Sequence, residues 1–342
     1  MKTALIIDGN YLLHKDVFIL YPLKTLHIDL LNLLKLDIER LMKLYAFDEV
    51  YFVSDSSKGY WRKMVYQNYK GDRHPDEKID WGWVYKEYDK FKNHVLNNTS
   101  AKQLQINYAE GDDIIAHIVN NNNELGYSNL IIAADSDLHQ LLRFDVSKQY
   151  INLAYNYKFS DERIYAPENY NVYFSEVTRK ASNTLFDMTD DDEFIKFLSD
   201  FIFKTKTIEV STEELLFVKL IQGDKKDTVP SVHLKETKTG KMMGIGKDGA
   251  KSIYKLYKET YNNPINFDSD DFVDKATEMV SYVKKVTEDA SLSLIKDNIR
   301  RNRKLLILTS KYLPKQLLEK FNKEIEIGQS RFSSPEIDDF FN

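Results

Sequence analysis

Three short apolar runs in this chain each end on a carboxylate. ALII runs into Asp8, VYFVS into Asp55, and NLIIAA into Asp135 and Asp137. One aspartate after a strand is ordinarily a turn former or a helix cap. Three at corresponding positions form a pattern, because in an open parallel sheet the ligand crevice lies beyond the carboxyl ends of the strands. The segment AEGDD adds Glu110, Asp112 and Asp113 ahead of a helical pattern; capping would account for one acid in that first turn, not for three. QGDKKDTVP adds Asp224 and Asp227, three apart and ahead of Pro230, with a solvated turn as the plain alternative. Carboxylates that converge repel one another and call for divalent cations. Hard oxygen donors without cysteine suit two Mg²⁺, with Mn²⁺ able to substitute, better than zinc. Two such ions about 4 Å apart can activate a water and stabilise a leaving oxygen in phosphodiester cleavage.

A second pattern interleaves cations with rings. Between positions 58 and 73, Lys58, Arg62, Lys63, Lys70 and Arg73 alternate with Tyr60, Trp61, Tyr66 and Tyr69. Aromatic faces stack on unpaired bases while cations follow phosphates. An amphipathic helix burying its rings would read the same way. A third pattern, GIGKDGAKSIYKLYK at 244–258, places Gly244, Gly246 and Gly249 at the start of a basic helix with Lys247 and Lys251. Glycines let backbone N–H groups approach a phosphate, and the helix N-terminus adds a favourable dipole.

The elements that must position these residues alternate between apolar runs of four to six residues and helical patterns, the signature of an α/β fold with a mostly parallel central sheet flanked by helices. At 342 residues the chain has room for about two domains. Its 42% hydrophobic and 30% charged residues set aside disorder and coiled coil, and the absence of cysteine sets aside disulfides, thiol catalysis and Cys zinc sites while fitting a cytoplasmic location. No apolar stretch is long enough to span a membrane. The net charge of −5 hides segregation: 58–73 carries five Lys/Arg against one acid, 224–258 nine against four, and 296–304 five against one. Local basic patches can hold a polyanion in an acidic chain.

In this order, IIDGN, DSSKGYWRK with YQNYKGDR, AEGDD, ADSDLHQLL and QGDKKDTVP resemble the motifs of the 5′-nuclease (flap endonuclease) superfamily, and most closely the branch that contains the ribonuclease H of T-even bacteriophages. The resemblance covers roughly residues 1–150 and 215–260. It implies a PIN-like nuclease core over 1–150 with a helical arch at about 56–95 and a C-terminal helical DNA-binding region over 215–330 with a helix–three-turn–helix element; 151–214, an inserted or extended linking segment of unknown role, is longer than the family's link and departs from it, and 331–342 reads as a flexible tail. It further implies a Mg²⁺-dependent enzyme that removes nucleotides or short flaps from 5′ ends of DNA or RNA in duplexes, including RNA primers in phage-type replication. Asp8, Asp55, Glu110, Asp112, Asp113, Asp135 and Asp137 match the family's metal ligands, and Asp224 with Asp227 the pair for a more distant ion. Lys70 and Arg73 match cations that meet the scissile phosphate, and Tyr69 a ring that stacks on a base. Lys58, Tyr60, Arg62, Lys63, Lys225, Lys226 and the 244–251 glycines and lysines complete the implied nucleic-acid surface, with a monovalent cation such as K⁺ near 244–250.

Three rival readings explain less. A primase or topoisomerase module also pairs a glutamate with a strand-terminal DxD, here Glu110 and Asp135-Ser-Asp137, but leaves YKGDR and GDKKD without a role. A haloacid-dehalogenase-type phosphatase needs a second aspartate where Asn10 stands. A non-catalytic, structure-specific DNA-binding protein would have lost acids that are all present. Arg300, Arg301 and Arg303 either extend a duplex footprint or are solvated. In the tail, Ile337, Phe340 and Phe341 have the spacing of a sliding-clamp peptide, and a fold-back onto the chain's own core fits equally well. A monomer, with a single-stranded DNA-binding protein as a further partner, completes the expectation.

Overall fold

The computed structural model describes residues 1–330 except 57, 75, 95, 159–160 and 184–189, so the tail residues Ile337, Phe340 and Phe341 lie outside the described residues. The chain forms two compact units. One comprises Met1–Tyr60, Pro75–Val210 and Thr309 onward; the other comprises Trp61–His74 and Ser211–Leu308.

The first unit is built on a sheet. Strand β1 (Lys2–Asp8) leads into helices α1 (Gly9–Leu23) and α2 (Leu26–Met42) and then β2 (Glu49–Val53). The short helix α3 (Arg62–Val65) belongs to the second unit, after which α4 (Trp81–His94), β3 (Lys102–Leu104), α5 (Gly111–Glu124) and β4 (Tyr127–Ile132) follow. Next come β5 (Phe144–Asp145), β6 (Tyr150–Asn156), β7 (Arg163–Pro167), α6 (Tyr170–Asn183), α7 (Asp190–Lys204) and β8 (Lys206–Val210). The strand order is β3-β2-β1-β4-β6-β7-β8, with β5 paired to β6. Pairing is parallel except at β6–β7 and β5–β6. The mixed α/β fold with a mostly parallel sheet flanked by helices is therefore as the sequence indicates.

Alternation along β1 divides the core. Leu5 and Ile7 join Leu12, Leu34, Phe52, Leu130, Val84 and Phe91 in one cluster with α1, α2 and α4. Helix α5 contacts β1, β2 and β4, with α12 (Lys315–Ser330) beside it. Both faces are covered, which is why the central strands read as unbroken apolar runs.

The stretch 151–214, read from the sequence as an inserted or extended linking segment, forms part of the first unit. Its strands β6, β7 and β8 extend the same sheet, and the aromatic helix α7 packs Phe194 and Phe197 against Tyr45 and Phe47 in the core of the first unit. The division at 150 and 215 likewise gives way, since residues after Thr309 rejoin the first unit and 61–74 belong to the second.

The second unit comprises α3, α8 (Thr212–Gln222), the hairpin β9 (Leu234–Glu236) and β10 (Met242–Gly244), α9 (Lys247–Tyr261), α10 (Asp270–Lys284) and α11 (Asp289–Leu306). Phe217, Tyr257 and Phe272 form its aromatic centre. Among the described residues no helix is long and apolar enough to cross a membrane.

Gly9 begins α1 under tight constraint. A Cβ there would lie 2.4 Å from the Phe52 ring and 2.4 Å from the Tyr88 hydroxyl. Gly9→Ala should lower stability by about 1–3 kcal/mol, the usual cost of forcing a methyl into a filled core, measured as a shift in urea midpoint at unchanged m.

Candidate metal and catalytic site

The register of three parallel strands brings the first acids together. Asp8 pairs with Val53, two residues before Asp55, and Ile7 pairs with Ile132, three before Asp135. All three carboxylates thus lie at the carboxyl ends of adjacent strands. Each is also fixed by a local hydrogen bond. Asp8 Oδ1 accepts from the Tyr11 N–H at 3.0 Å, capping α1. Asp55 Oδ1 accepts from the Gly111 N–H at 2.6 Å, at the start of α5, while its own N–H donates to Asn10 Oδ1 at 3.1 Å. Asp135 Oδ1 accepts from the Asp137 N–H at 2.9 Å, capping the 3-10 turn Ser136–Leu141.

Glu110 and Asp113 are buried at the head of α5 in a reciprocal capping box, in which the Glu110 N–H donates to Asp113 Oδ2 at 3.2 Å. Asp112 is partly exposed in the same turn. The helix therefore uses acids as caps, and the same turn delivers Gly111 to Asp55.

Electrostatics follow from this crowding. Burial, reinforced by the charges of Asp55 and Asp135, pushes the Asp8 carboxyl up to about 7, against the pull of its backbone hydrogen bonds. Burial, then the Asp55 charge, also raises the Tyr85 phenol. The Tyr88 phenol, 3.0 Å from the Ser54 hydroxyl, is raised chiefly by burial. Burial drives His139 down to about 4 despite the opposing charge of Asp135, so the imidazole is neutral, and it stacks 4.1 Å from the Tyr165 ring. Among the described residues no three acidic or histidine side chains are drawn around a common point at ligand distance. The donors are nonetheless all hard oxygens, and a cation would favour the ionised Asp8 that burial and its neighbours' charges oppose.

Asp224 and Asp227 belong to the second unit, where each already has a cationic partner. Lys219 Nζ donates to Asp224 Oδ2 at 3.0 Å. The Tyr69 hydroxyl donates to Asp227 Oδ2 at 2.9 Å, and the Arg73 guanidinium pairs with Asp227 Oδ1. Gly223 makes this turn possible, since it has φ +76° and a Cβ would lie 2.3 Å from the Val229 carbonyl oxygen.

The expected nucleic-acid residues divide sharply. Lys58, Lys63, Lys225 and Lys226 are exposed, Lys247 likewise, and Lys251 pairs with Glu214 at 2.8 Å. Gly246 caps α9 without a side chain, and Gly244 closes β10, where a Cβ would meet Ser231 Cβ at 2.6 Å. Tyr60 bridges to Tyr108. Arg62 and Tyr69 are corrections: at 2% and 3% exposure they lie inside the second unit rather than on its surface. Arg62 Nε donates to the Leu305 carbonyl at 2.8 Å, and its guanidinium sits 4.8 Å over the Trp61 ring. Arg301 and Arg303 are likewise structural, donating to the Pro230 carbonyl at 3.1 Å and the Ser269 carbonyl at 2.8 Å. Sequence reasoning missed Asn10, Tyr85 and Tyr88. The spacing of Trp81, Tyr85 and Tyr88 on one side of α4 was the available signal.

Comparison with known proteins places this geometry in context. Residues 3–171 match the family model described as the 5′-3′ exonuclease N-terminal, resolvase-like domain. A 5′-3′ exonuclease of Mycoplasmopsis pulmonis is 22% identical over 345 residues, covering 95% of each chain. DNA polymerase I of Streptococcus pneumoniae is 23% identical over 253 residues, covering 71% of this chain and 23% of the polymerase. Among solved structures, the bacteriophage T5 flap endonuclease in a complex with DNA and metal ions superposes with a TM-score of 0.58 at 17% identity, covering 96% of this chain and 100% of that one. The T5 5′-exonuclease with bound zinc gives 0.57 at 17% identity, with the same coverage. At this identity the superpositions speak for a shared fold.

The Asp8 environment makes a linked prediction for the metal-free protein. An unfolded aspartate titrates near 4 and the folded Asp8 near 7, so between those values the folded state holds a proton that the unfolded state has released. Stability should fall as pH rises through that window and stay reduced above it. Asp8→Asn keeps the acceptor for Tyr11 and removes the charge. It should stabilise the protein in EDTA by about 1–2 kcal/mol at pH 8, discounted for water access to a half-buried group, and by almost nothing at pH 4. Equal shifts in unfolding midpoint at both pH values would contradict the assignment.

Proposed function

Since residues 3–171 belong to the 5′-3′ exonuclease family through its N-terminal domain, we propose that this chain hydrolyses phosphodiester bonds near the 5′ ends of nucleic acids, as an exonuclease and on flaps. The observation that carries the reading is the placement of Asp8, Asp55 and Asp135 at the ends of three adjacent parallel strands, with Asp8 kept protonated to about pH 7 by burial and, secondarily, by the charges of the other two. The family's relatives bear names of the same activity, and the metal-bound and DNA-bound T5 proteins support carrying it over.

Asp8, Asp55 and Asp135 are the central ligands in this reading, with Glu110, Asp112, Asp113 and Asp137 completing the donor set. Divalent cations, Mg²⁺ first, would supply Lewis acidity for the scissile phosphate and a water of lowered pKa. The chain's own residues orient and exclude: the N–H groups of Tyr11 and Gly111 fix two carboxylates, and His139, being neutral, adds no competing charge. Lys70, half-buried and in the left-handed region at φ 55°, is assigned to the substrate phosphate. Asp224 and Asp227 could hold an outlying ion only by giving up Lys219 and Arg73. Lys225, Lys226 and the head of α9 from Gly246 are assigned to duplex backbone, so binding should weaken with salt and show little sequence preference. Removal of RNA primers is the finer reading, and it rests on the resemblance of the motifs to the 5′-nuclease superfamily.

The test uses 5′-labelled flap, nicked and RNA-primed duplexes with Mg²⁺ or EDTA. Wild-type protein should release short 5′ products from all three only with Mg²⁺. Asp135→Asn and Asp137→Asn should lower the single-turnover rate by at least about a hundredfold, the scale of losing one transition-state electrostatic contact, while leaving the unfolding midpoint and DNA affinity near wild type. Cleavage in EDTA, or near wild-type rates in both variants, would overturn the reading.

A further inference from the structure

Asp55 stands where the sheet has already stopped. Strand β2 ends at Val53, and its ladder with β3 closes on the Ser54 N–H, which donates to the Leu104 carbonyl at 2.9 Å. A carboxylate beyond that point has no ladder to orient its peptide, so its backbone groups need other partners. Side chains take over. The Asp55 N–H donates to Asn10 Oδ1 at 3.1 Å, and the Asp55 carbonyl accepts from Gln105 Nε2 at 2.7 Å. One residue further, the Ser56 N–H donates to the Ala109 carbonyl at 3.1 Å, and Ser56 Oγ accepts from the Tyr108 N–H at 2.8 Å. The loop 105–109 is thereby wrapped against 55–56. Tyr108 is held there at φ 71°, a left-handed backbone that a tyrosine rarely adopts.

Gln105 is exposed, and an exposed amide has water to bond instead. Its orientation is nevertheless fixed. Lys92 Nζ on α4 donates to Gln105 Oε1 at 3.2 Å, which leaves Nε2 as the end that turns to Asp55. Lys92 is in turn anchored by Asp89 at 3.0 Å and lies 4.8 Å over the Tyr88 ring. The other glutamine of this edge works elsewhere: Gln103 Nε2 donates to the Lys92 carbonyl at 3.1 Å and to Asn97 Oδ1 at 2.9 Å, tying β3 to the end of α4.

We propose that Gln105 is a positioning residue for Asp55: through Lys92 it ties the peptide that carries this carboxylate to α4, and so fixes the carboxylate for a divalent cation. This deepens the nuclease reading and rests on it for the role of Asp55 as a metal ligand. An outer group of this kind orients a ligand without touching the ion, and its loss weakens metal binding more than it weakens the fold. A glutamine that only solvates a loop would change neither.

Two variants of the full chain test the proposal. Gln105→Met keeps the length of the side chain and removes the donor, and Gln103→Met does the same to the neighbouring glutamine as a control. Mn²⁺ binding in the absence of nucleic acid is titrated by the electron paramagnetic resonance signal of unbound Mn²⁺. Unfolding midpoints are measured in EDTA, and single-turnover flap cleavage is followed against Mg²⁺ concentration. Gln105→Met should weaken Mn²⁺ binding about tenfold, the lower end for losing an outer partner of a metal ligand. It should raise the half-saturating Mg²⁺ concentration by a similar factor, with the saturated rate and the midpoint in EDTA close to wild type. Gln103→Met should leave Mn²⁺ affinity unchanged. Unchanged Mn²⁺ affinity in Gln105→Met would overturn the proposal, as would an equal loss in Gln103→Met. Wild-type protein that binds Mn²⁺ with this dependence on Gln105 but cleaves no flap would sink the nuclease reading and leave the role of Gln105 standing. Wild-type protein that neither binds Mn²⁺ nor cleaves would sink both.

Discussion

Repulsion among carboxylates at the ends of β1, β2 and β4 is the constraint around which the first unit is arranged. Parallel register puts Asp8, Asp55 and Asp135 side by side because each strand ends at nearly the same level. Nothing in the apolar strands compensates that charge. Compensation comes from N–H groups left unpaired at the start of a helix or a 3-10 turn: just beyond β1 and β4 for Asp8 and Asp135, and at the head of α5 for Asp55. Tyr11, Gly111 and Asp137 supply those donors. Starts of helices and a 3-10 turn at the carboxyl edge of the sheet thus give the acids their partial positive partners. Asp8 holds its proton up to about 7, chiefly because burial disfavours its charged form and secondarily because of its two neighbours' charges.

The heads of α1 and α5 leave little room, which explains residues with no chemistry of their own. Gly9 lies under the Phe52 ring and the Tyr88 hydroxyl, so α1 can begin directly after Asp8 only without a side chain there. Gly111 approaches Asp55 closely enough for its N–H to reach the carboxylate. In the second unit a different solution appears. Asp227 is neutralised by Arg73 and the Tyr69 hydroxyl, and its carbonyl accepts from the Lys70 N–H at 2.9 Å, so the turn at 69–73 is tied to the turn at 224–229. A buried carboxylate with a cation and a phenol is costly to break, which makes this pair of turns a fixed element of that unit.

The strands and their acids were legible because a parallel strand buried on both faces must be apolar throughout and must stop abruptly. The segment 151–214 was not, because β7 and β8 are short and half-buried and the aromatic helix α7 resembles a self-contained amphipathic element until its partners Tyr45 and Phe47, far back in the chain, are known. The run at 58–73 misled in part for a related reason. Cations alternating with rings describe a surface that grips single strands and also an arginine sandwiched inside a fold, and Arg62 over Trp61 is the second case. Only burial separates the two, and burial is set by α11, whose Leu305 carbonyl accepts from Arg62. The same logic bears on Arg301 and Arg303, whose guanidinium groups donate to the part-buried Pro230 and Ser269 carbonyls.

A buried polar network carries the constraint away from the acids into the body of the first unit. The Tyr11 hydroxyl donates to the Tyr157 carbonyl at 2.6 Å, the Tyr157 hydroxyl donates to Asp37 Oδ1 at 3.0 Å, and Lys15 pairs with both Asp37 and Asp16. Two buried carboxylates share one ammonium, and burial pushes Asp16 up to about 8, so this cluster is a poor source of stability compared with an apolar replacement. Its value lies in direction. Hydrogen bonds fix orientation where dispersion contacts allow rotation. Tyr11 is tied here by its ring and at Asp8 by its N–H, so the first turn of α1 is held at both ends of one residue. A helix fixed only by Leu12, Leu13 and Val17 against the sheet could roll, and each degree of roll would swing the donor away from Asp8. The network between α1, α2 and the end of β6 therefore belongs to the same design as the carboxylates, and Tyr11 is the member that joins the two.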